Sequence, residues 1–257
     1  MSQPSSPFVW YELMTSDVAA AAAFYRSVVG WETKDAGMPG SDYTLFLAQG
    51  ADVGGLMTLP AEACAMGVPP CWTGYVSVDN VDAYAARVTA AGGQVVRAAE
   101  DIPGVGRFAV VADPYGAGFN LFKDTSGQAP GPKVAGTPGQ IGWHELHAGD
   151  GVGAFAFYSS LFGWTKAEAM DMGPLGVYQM FAVDGVPVGG MMTKMPETPQ
   201  PFWLYYINVA AVDAAVAKVL EGGGKVLTGP MEVPGGSWIV NCTDPQGAVF
   251  ALVAPKR

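Results

Sequence analysis

Histidine, cysteine and basic residues are scarce in this chain of 257 residues. It contains two histidines and three cysteines, and 23 aspartates and glutamates outnumber 13 lysines and arginines, which gives a net charge of −10. The cysteines, Cys64, Cys71 and Cys242, are odd in number and lack the paired spacing of a zinc site, so we predict neither a disulfide framework nor a cysteine metal site. The negative charge disfavours nucleic acid and anionic membranes as partners. A small neutral or cationic ligand fits this charge better.

Long apolar runs are also missing. No stretch is long and apolar enough to cross a bilayer, and no signal-like run stands at the N-terminus, so the sequence predicts a soluble cytoplasmic protein without a membrane partner. Half of the residues are hydrophobic, and the length permits one large or two ordinary domains. The sequence leaves open whether the chain is a monomer or a homodimer.

The strongest positive signal is an internal repeat. The stretch Trp10-Tyr11-Glu12-Leu13 returns as Trp143-His144-Glu145-Leu146, and in each copy it begins an apolar, strand-like run. The repeat predicts a first domain at residues 1–123 and a second domain at residues 141–257. Between them, residues 124–140 are rich in Gly, Pro and Ser and are predicted to be a linker.

Within the first half, two segments have the apolar spacing of helices. One spans about Asp17–Val29, with Ser16 or Asp17 as its cap and Gly30 placed to end it. The other spans about Val81–Ala91, with Asp79 or Asn80 as its cap. Strand-like runs fill the intervals at Tyr43–Ala48, Val53–Thr58, Thr73–Asp79, Arg107–Ala112 and Ala117–Lys123. The second half repeats these runs at Tyr178–Val183, Val186–Thr193, Trp203–Val209, Ser237–Cys242 and Ala248–Ala254. The predicted order is therefore β-α-β-β-β, four times along the chain.

An ordered set of short motifs occurs in both halves. The set consists of Phe24-Tyr25, Gly30-Trp31, Gly92-Gly93 and Asp113-Pro114, with Phe157-Tyr158, Gly163-Trp164, Gly223-Gly224 and Asp244-Pro245 as its second copy. With this set the chain resembles the vicinal oxygen chelate superfamily, which includes glyoxalase I, bleomycin-resistance proteins and extradiol dioxygenases. The resemblance implies an α+β fold in which four βαβββ modules form two half-open barrels, each around a ligand cup. The sequence leaves open whether the modules pair within each half or across the linker.

Chemistry in the family usually depends on a divalent metal held by His, Glu or Gln. The resemblance carries the metal-ligand positions onto Trp10, Thr73 and Asn120 in the first half and onto Trp143, Leu204 and Ala251 in the second. The two histidines, His144 and His147, alternate onto opposite faces of a strand and cannot join one iron site of two histidines and a carboxylate. We therefore predict no metal and no cofactor, and we do not expect glyoxalase I or extradiol dioxygenase activity.

Side-chain alternation predicts where the chemistry lies. Trp10, Glu12 and Met14 share one face of the first strand, as Trp143, Glu145 and His147 do in its second copy. A carboxylate in an apolar cup is expected to have a raised pKa and can serve as a general base, and His147 lies beside Glu145 on the same face as its candidate partner. The alternative is a structural carboxylate paired with Arg26, Arg107 or Lys166, or bonded to a Trp or Tyr hydrogen. The predicted catalytic residues are Glu12, Glu145 and His147.

The same face supplies candidate ligand contacts. The tryptophans could stack on a flat aromatic ligand, although they could equally fill the space that a metal would take. The predicted ligand-binding residues are Trp10, Thr73, Tyr75, Asn120, Trp143, Tyr206 and Asn208.

Three hypotheses for function remain at this point. The leading prediction is a metal-independent, bleomycin-resistance-like protein that binds an apolar or aromatic small molecule. The alternative is a lyase, isomerase or hydroxylase of secondary metabolism in which a cup carboxylate acts as general base. The third is a scaffold whose second half only completes the first.

Overall fold

The computed structural model of the chain describes residues 6–38, 42–127 and 136–257. In the first half the elements are β1 (Phe8–Thr15), α1 (Val18–Val29), β2 (Glu32–Asp35), β3 (Thr44–Ala48), β4 (Ala51–Thr58), α2 (Ala61–Ala65), β5 (Cys71–Ser77), α3 (Val81–Ala90), β6 (Gln94–Ile102), β7 (Gly106–Ala112) and β8 (Gly118–Asp124). In the second half they are β9 (Ile141–Ala148), α4 (Gly151–Phe162), β10 (Thr165–Asp171), β11 (Val177–Val183), β12 (Val186–Thr193), β13 (Phe202–Asn208), α5 (Val212–Glu221), β14 (Lys225–Glu232), β15 (Trp238–Thr243) and β16 (Val249–Ala254). Among the described residues, no helix is both long and apolar enough to cross a membrane.

The strands form two mixed sheets of eight strands each. The strand order is β2-β3-β4-β1-β5-β8-β7-β6 in one sheet and β10-β11-β12-β9-β13-β16-β15-β14 in the other, and neither sheet closes on itself over the described residues. The β1–β4 and β5–β8 pairs are parallel, as are β9–β12 and β13–β16. The predicted α+β fold of four βαβββ modules is thereby confirmed.

Local sequence explains where the helices begin and end. The Asp17 carboxylate caps α1 by accepting a hydrogen bond from the Ala20 backbone N–H at 2.9 Å. The Asn80 side chain caps α3 in the same way. Gly30 ends α1 with φ of 81°, a left-handed conformation that costs glycine little, and its amide donates to the Arg26 carbonyl.

Four strands have no counterpart among the strand-like runs of the sequence. They are β2, β6, β10 and β14, and each lies at an edge of its sheet. Their side chains are mostly exposed, so the apolar alternation that predicts a strand is weak in all four. Backbone pairing to the next strand, rather than burial of an apolar face, holds them in the sheet.

The described residues gather into two compact units, and each unit draws on both halves of the sequence. One unit contains residues 10–38, 42–73, 136–143 and 204–257, which make up most of the first and fourth modules. The other contains residues 6–9, 74–127 and 144–203, most of the second and third modules. The grouping therefore crosses the linker. The predicted boundaries at 123 and 141 stay a prediction, and residues 128–135 of the predicted linker lie outside the described residues.

A buried hydrogen-bonded chain joins the first and fourth modules within their unit. The hydroxyl of Tyr25 on α1 donates to the Asp244 carboxylate at 3.2 Å and accepts the indole N–H of Trp72 at 2.8 Å. Burial raises the pKa of Asp244, whereas the hydrogen bond from Tyr25 lowers it. Phe250 packs edge-on against Tyr25 with ring centroids 5.3 Å apart.

The unit of the second and third modules contains the same arrangement. The Tyr158 hydroxyl donates to Asp113 at 3.3 Å and accepts the indole N–H of Trp203 at 3.1 Å. Burial again raises the pKa of the aspartate. The repeated Phe-Tyr and Asp-Pro motifs are thus parts of the core of each unit.

Candidate functional site

In the first module, Trp10, Tyr43 and Glu12 form a hydrogen-bonded chain, which we call the Trp10–Tyr43–Glu12 cluster. The Trp10 indole Nε1–H donates to the Tyr43 hydroxyl at 3.0 Å, and that hydroxyl donates to the Glu12 carboxylate. Glu12 is 7% exposed, whereas Trp10 is only half-buried. Burial and the Glu12 charge raise the pKa of Tyr43 far above its usual value. Tyr43 therefore stays protonated and acts as a hydrogen-bond donor.

Gly55 on β4 makes room for this chain. It stands directly beside Glu12 in the parallel β1–β4 register. A side-chain carbon at this position would collide with the phenol ring of Tyr43. The absence of a side chain on Gly55 therefore permits Tyr43 to reach the carboxylate.

Cys71, the first residue of β5, also lies in the field of Glu12. Burial, followed by the Glu12 charge, raises the pKa of the Cys71 thiol to about 11. This thiol is therefore neutral near pH 7 and is a poor nucleophile.

In the third module, β9 brings Glu145 and His147 together, as the alternation predicted. Nε2 of His147 lies 2.8 Å from Oε1 of Glu145, and both side chains are largely buried. The ring N–H is not directed at that oxygen, so the contact is an ion-pair distance without a hydrogen bond. The imidazole stacks on Phe202, with ring centroids 4.7 Å apart and planes 7° from parallel.

His144 has a different environment. Its Nδ1–H donates to the Val188 carbonyl at 2.6 Å, and its ring stacks on Phe8 at 4.4 Å. The residue is 7% exposed and belongs to the core. These contacts account for His144 without a ligand.

The third module also repeats the glycine and tyrosine of the first. Gly190 on β12 pairs with Glu145, and a side-chain carbon on Gly190 would collide with the ring of Tyr178. The neighbouring positions differ between the modules, however. His147 stands at the repeat position of Met14, and Phe202 stands at that of Cys71.

The other predicted ligand contacts are distributed over several strands. Tyr75 and Asn120 are paired across β5 and β8, and both are buried. The Tyr75 ring contacts the rings of Phe108 and Phe122. The Asn208 amide donates to the Gln140 carbonyl at 2.9 Å. Of the remaining predicted contacts, Tyr206 is buried and pairs with Ala251, whereas Thr73 and Trp143 are half-buried. Ligand binding by these residues stays a prediction.

The basic residues suggested as partners for a structural glutamate have other contacts. Arg26 donates to Thr33, Arg107 pairs with Asp82 and Asp101, and Lys166 lies over Phe155. The other suggested alternative was a hydrogen bond from a tyrosine, and Glu12 accepts one from the Tyr43 hydroxyl. Sequence reasoning did not assign Tyr43 or Tyr178 to the site, although each begins a strand-like run at equivalent points of the two halves.

The donor set does not fit the family's metal. Throughout the ranges 6–38, 42–127 and 136–257, no group of three or more His, Cys, Asp or Glu side chains could hold an ion. Of the six positions onto which the resemblance carries metal ligands, four supply no oxygen, sulfur or imidazole donor, namely Trp10, Trp143, Leu204 and Ala251. Thr73 and Asn120 supply only a neutral hydroxyl and a neutral amide, without the imidazole or carboxylate that the family uses.

The fold and the repeated modules define a glyoxalase-like protein, and comparison with known families agrees. The model of the Glyoxalase/Bleomycin resistance protein/Dioxygenase superfamily matches residues 8–121 and again residues 140–252. The chain belongs to this superfamily, with two copies of its domain, and the resemblance noted from the sequence is confirmed.

Two curated relatives cover nearly the whole chain. A Mycobacterium tuberculosis protein provisionally named glyoxylase CFP32 is 33% identical over 96% of this chain and 94% of its own length. Anthracycline biosynthesis protein DnrV from Streptomyces peucetius is 34% identical over 97% of this chain and 93% of its own length.

Solved structures support the fold. The Mn(II)-bound glyoxalase from Novosphingobium aromaticivorans matches with a TM-score of 0.65 at 20% identity, covering 98% of this chain and 82% of that one. The 2,2',3-trihydroxybiphenyl 1,2-dioxygenase of Sphingomonas wittichii matches with a TM-score of 0.66 at 14% identity, covering 98% of this chain and 91% of that one.

Proposed function

We propose that this glyoxalase-superfamily protein binds a flat, largely apolar aromatic molecule without a metal ion. The observation that carries the proposal is the Trp10–Tyr43–Glu12 cluster, and Trp10 is the residue onto which the resemblance carries a metal-ligand position. Its indole is held at Nε1 by Tyr43 and is half-buried, not fully enclosed. A fixed, partly open aromatic ring is suited to stacking on a planar ligand.

The relatives support the ligand class. The name of DnrV assigns it to anthracycline biosynthesis, and anthracyclines are built on fused aromatic rings. The net charge of −10 favours a neutral or cationic ligand over an anionic one. Bleomycin-resistance proteins, for which the superfamily is partly named, give the same expectation of small-molecule binding.

A second candidate function is proton transfer by the third module. The 2.8 Å contact between Glu145 and His147 favours it, because a carboxylate next to an imidazole can act as an acid–base pair. In this case Glu145 would take a proton from a bound ligand, and His147 would orient the carboxylate or carry the proton onward. The products would be those of an isomerase or a lyase, and a hydroxylase would additionally need dioxygen as its oxidant.

Isothermal titration calorimetry with 2-hydroxyanthraquinone tests the binding proposal. We expect saturable binding to protein that contains less than stoichiometric metal by elemental analysis, with the same affinity after chelator treatment. Trp10→Ala should weaken binding by about fivefold or more, because an aromatic pair contributes about 1 kcal/mol beyond area burial. Trp238→Ala is the matched control, since Trp238 lies on β15 beside Arg257.

The outcomes separate the candidates. An absence of heat with 2-hydroxyanthraquinone, or binding that requires a stoichiometric metal, contradicts the proposal. Conversion of the bound molecule, detected by mass spectrometry and lost in Glu145→Gln with ligand affinity retained, establishes the second candidate.

A further inference from the structure

The Trp10–Tyr43–Glu12 cluster contains an acceptor group that stacking alone would not require. Glu12 is a buried carboxylate, and placing such a group next to a ligand is costly unless it is hydrogen-bonded. In its ionised form it can only accept hydrogen bonds, a carboxylate can accept several, and Tyr43 donates one of them. The cluster thus combines an aromatic surface with an acceptor.

We propose that this cluster selects aromatic ligands that bear a phenolic hydroxyl. The ligand hydroxyl donates to the Glu12 carboxylate while its ring lies against Trp10. This inference rests on the proposed function, and it adds the substrate class. A ligand with an ether or ketone at the same position offers only acceptors to a carboxylate, and a site built around a hydrogen bond discriminates strongly against an analogue that lacks the donor.

Tyr43 is the positioning residue of the site. Its hydroxyl connects the Trp10 indole to the Glu12 carboxylate, so it fixes the ring and the acceptor relative to each other. Gly55 is needed for this role because any side chain there would displace the phenol ring. Removing the Tyr43 hydroxyl would leave both groups in place but less well oriented.

A pair of matched probes tests the inference by calorimetry at about pH 6.5. The probes are 2-naphthol and 2-methoxynaphthalene, which share a ring system but differ in the hydroxyl hydrogen. We expect the wild-type protein to prefer 2-naphthol by about tenfold, which is the effect of one good hydrogen bond to a charged group. Glu12→Gln should reduce this ratio to about twofold to threefold, because the amide oxygen still accepts a hydrogen bond but carries no charge. Tyr43→Phe should reduce the ratio by about threefold.

Tyr84→Phe on α3, a tyrosine that stacks on Phe162, should keep the wild-type ratio. Equal binding of both probes by the wild-type protein overturns the inference but leaves the proposed function standing, whereas no binding of either probe contradicts the proposed function itself. A preference that stays at the wild-type value in Glu12→Gln also overturns the inference. If circular dichroism shows Glu12→Gln to be unfolded, the wild-type ratio together with Tyr43→Phe decides.

Discussion

Glu12 affects two neighbours besides any ligand. Its charge contributes to the raised pKa of both Tyr43 and Cys71, because each would have to ionise next to a buried carboxylate. Tyr43 responds by donating its hydrogen to Glu12, while Cys71 remains a neutral thiol. The thiol can therefore serve as a probe of the charge on Glu12.

We predict that Cys71 is alkylated slowly by iodoacetamide and faster in Glu12→Gln. With a pKa of about 11, the thiol is hardly ionised at about pH 8, and thiolate is the reactive form. Removing the Glu12 charge removes one of the two causes of the raised pKa, so the alkylation rate should rise severalfold. Peptide mapping by mass spectrometry at timed intervals measures the rate.

The other cysteines provide the controls for this experiment. Cys64 is exposed and should react first in both proteins. Cys242 is buried, and burial alone raises its pKa to about 12, so its rate should not change in Glu12→Gln. An unchanged rate at Cys71 would mean that Glu12 is not ionised beside it.

The contact between α1 and the turn that joins β15 to β16 contributes to the free energy of unfolding by an amount that depends on pH. Burial raises the pKa of Asp244 in the folded protein, so this group binds its proton more tightly when folded than when unfolded. Its contribution to stability is therefore largest at low pH and is lost as the pH rises above the ordinary aspartate value near 4. Tyr25 limits that loss, because its hydrogen bond stabilises the charged form.

We predict that Tyr25→Phe lowers the free energy of unfolding by about 1–3 kcal/mol near pH 7 and by less near pH 4.5. The loss has two sources, the Trp72 indole N–H without its acceptor and the Asp244 carboxylate without its donor. Urea denaturation at both pH values measures it. In an Asp244→Asn background the effect of Tyr25→Phe should lose its pH dependence, and an equal dependence in both backgrounds would contradict the assignment.

The same elements show how much of the structure the sequence predicts. The helices and inner strands follow from apolar periodicity, and Asp17, Asn80 and Gly30 fulfil their predicted capping roles. The predicted β-α-β-β-β order counts the edge strands, but their residues were not located because exposure removes the periodic signal. Tyr43 reaches the site because Gly55, on the neighbouring strand β4, has no side chain in its way. The periodicity of β1 contains no information about the residue on β4.

Each compact unit combines a module from the first half of the chain with a module from the second half. The apolar face of α1 packs through Phe24 and Tyr25 against Phe250 of the fourth module. In the other unit, Tyr158 of α4 packs against Phe119 of the second module. Each half of the sequence thus contains one module from each unit and no complete unit.

We predict that residues 1–127 and residues 136–257, produced separately, do not fold as stable monomers. In isolation each half would expose the aromatic faces that it buries in the whole chain, a loss of several kcal/mol for each ring-lined face. We expect self-association or non-cooperative unfolding of each half, measured by light scattering and thermal circular dichroism. Mixing the two halves should restore a heterodimer with a cooperative transition. A half that is monomeric and unfolds as cooperatively as the whole chain would instead support the predicted boundaries at 123 and 141 as true domain boundaries.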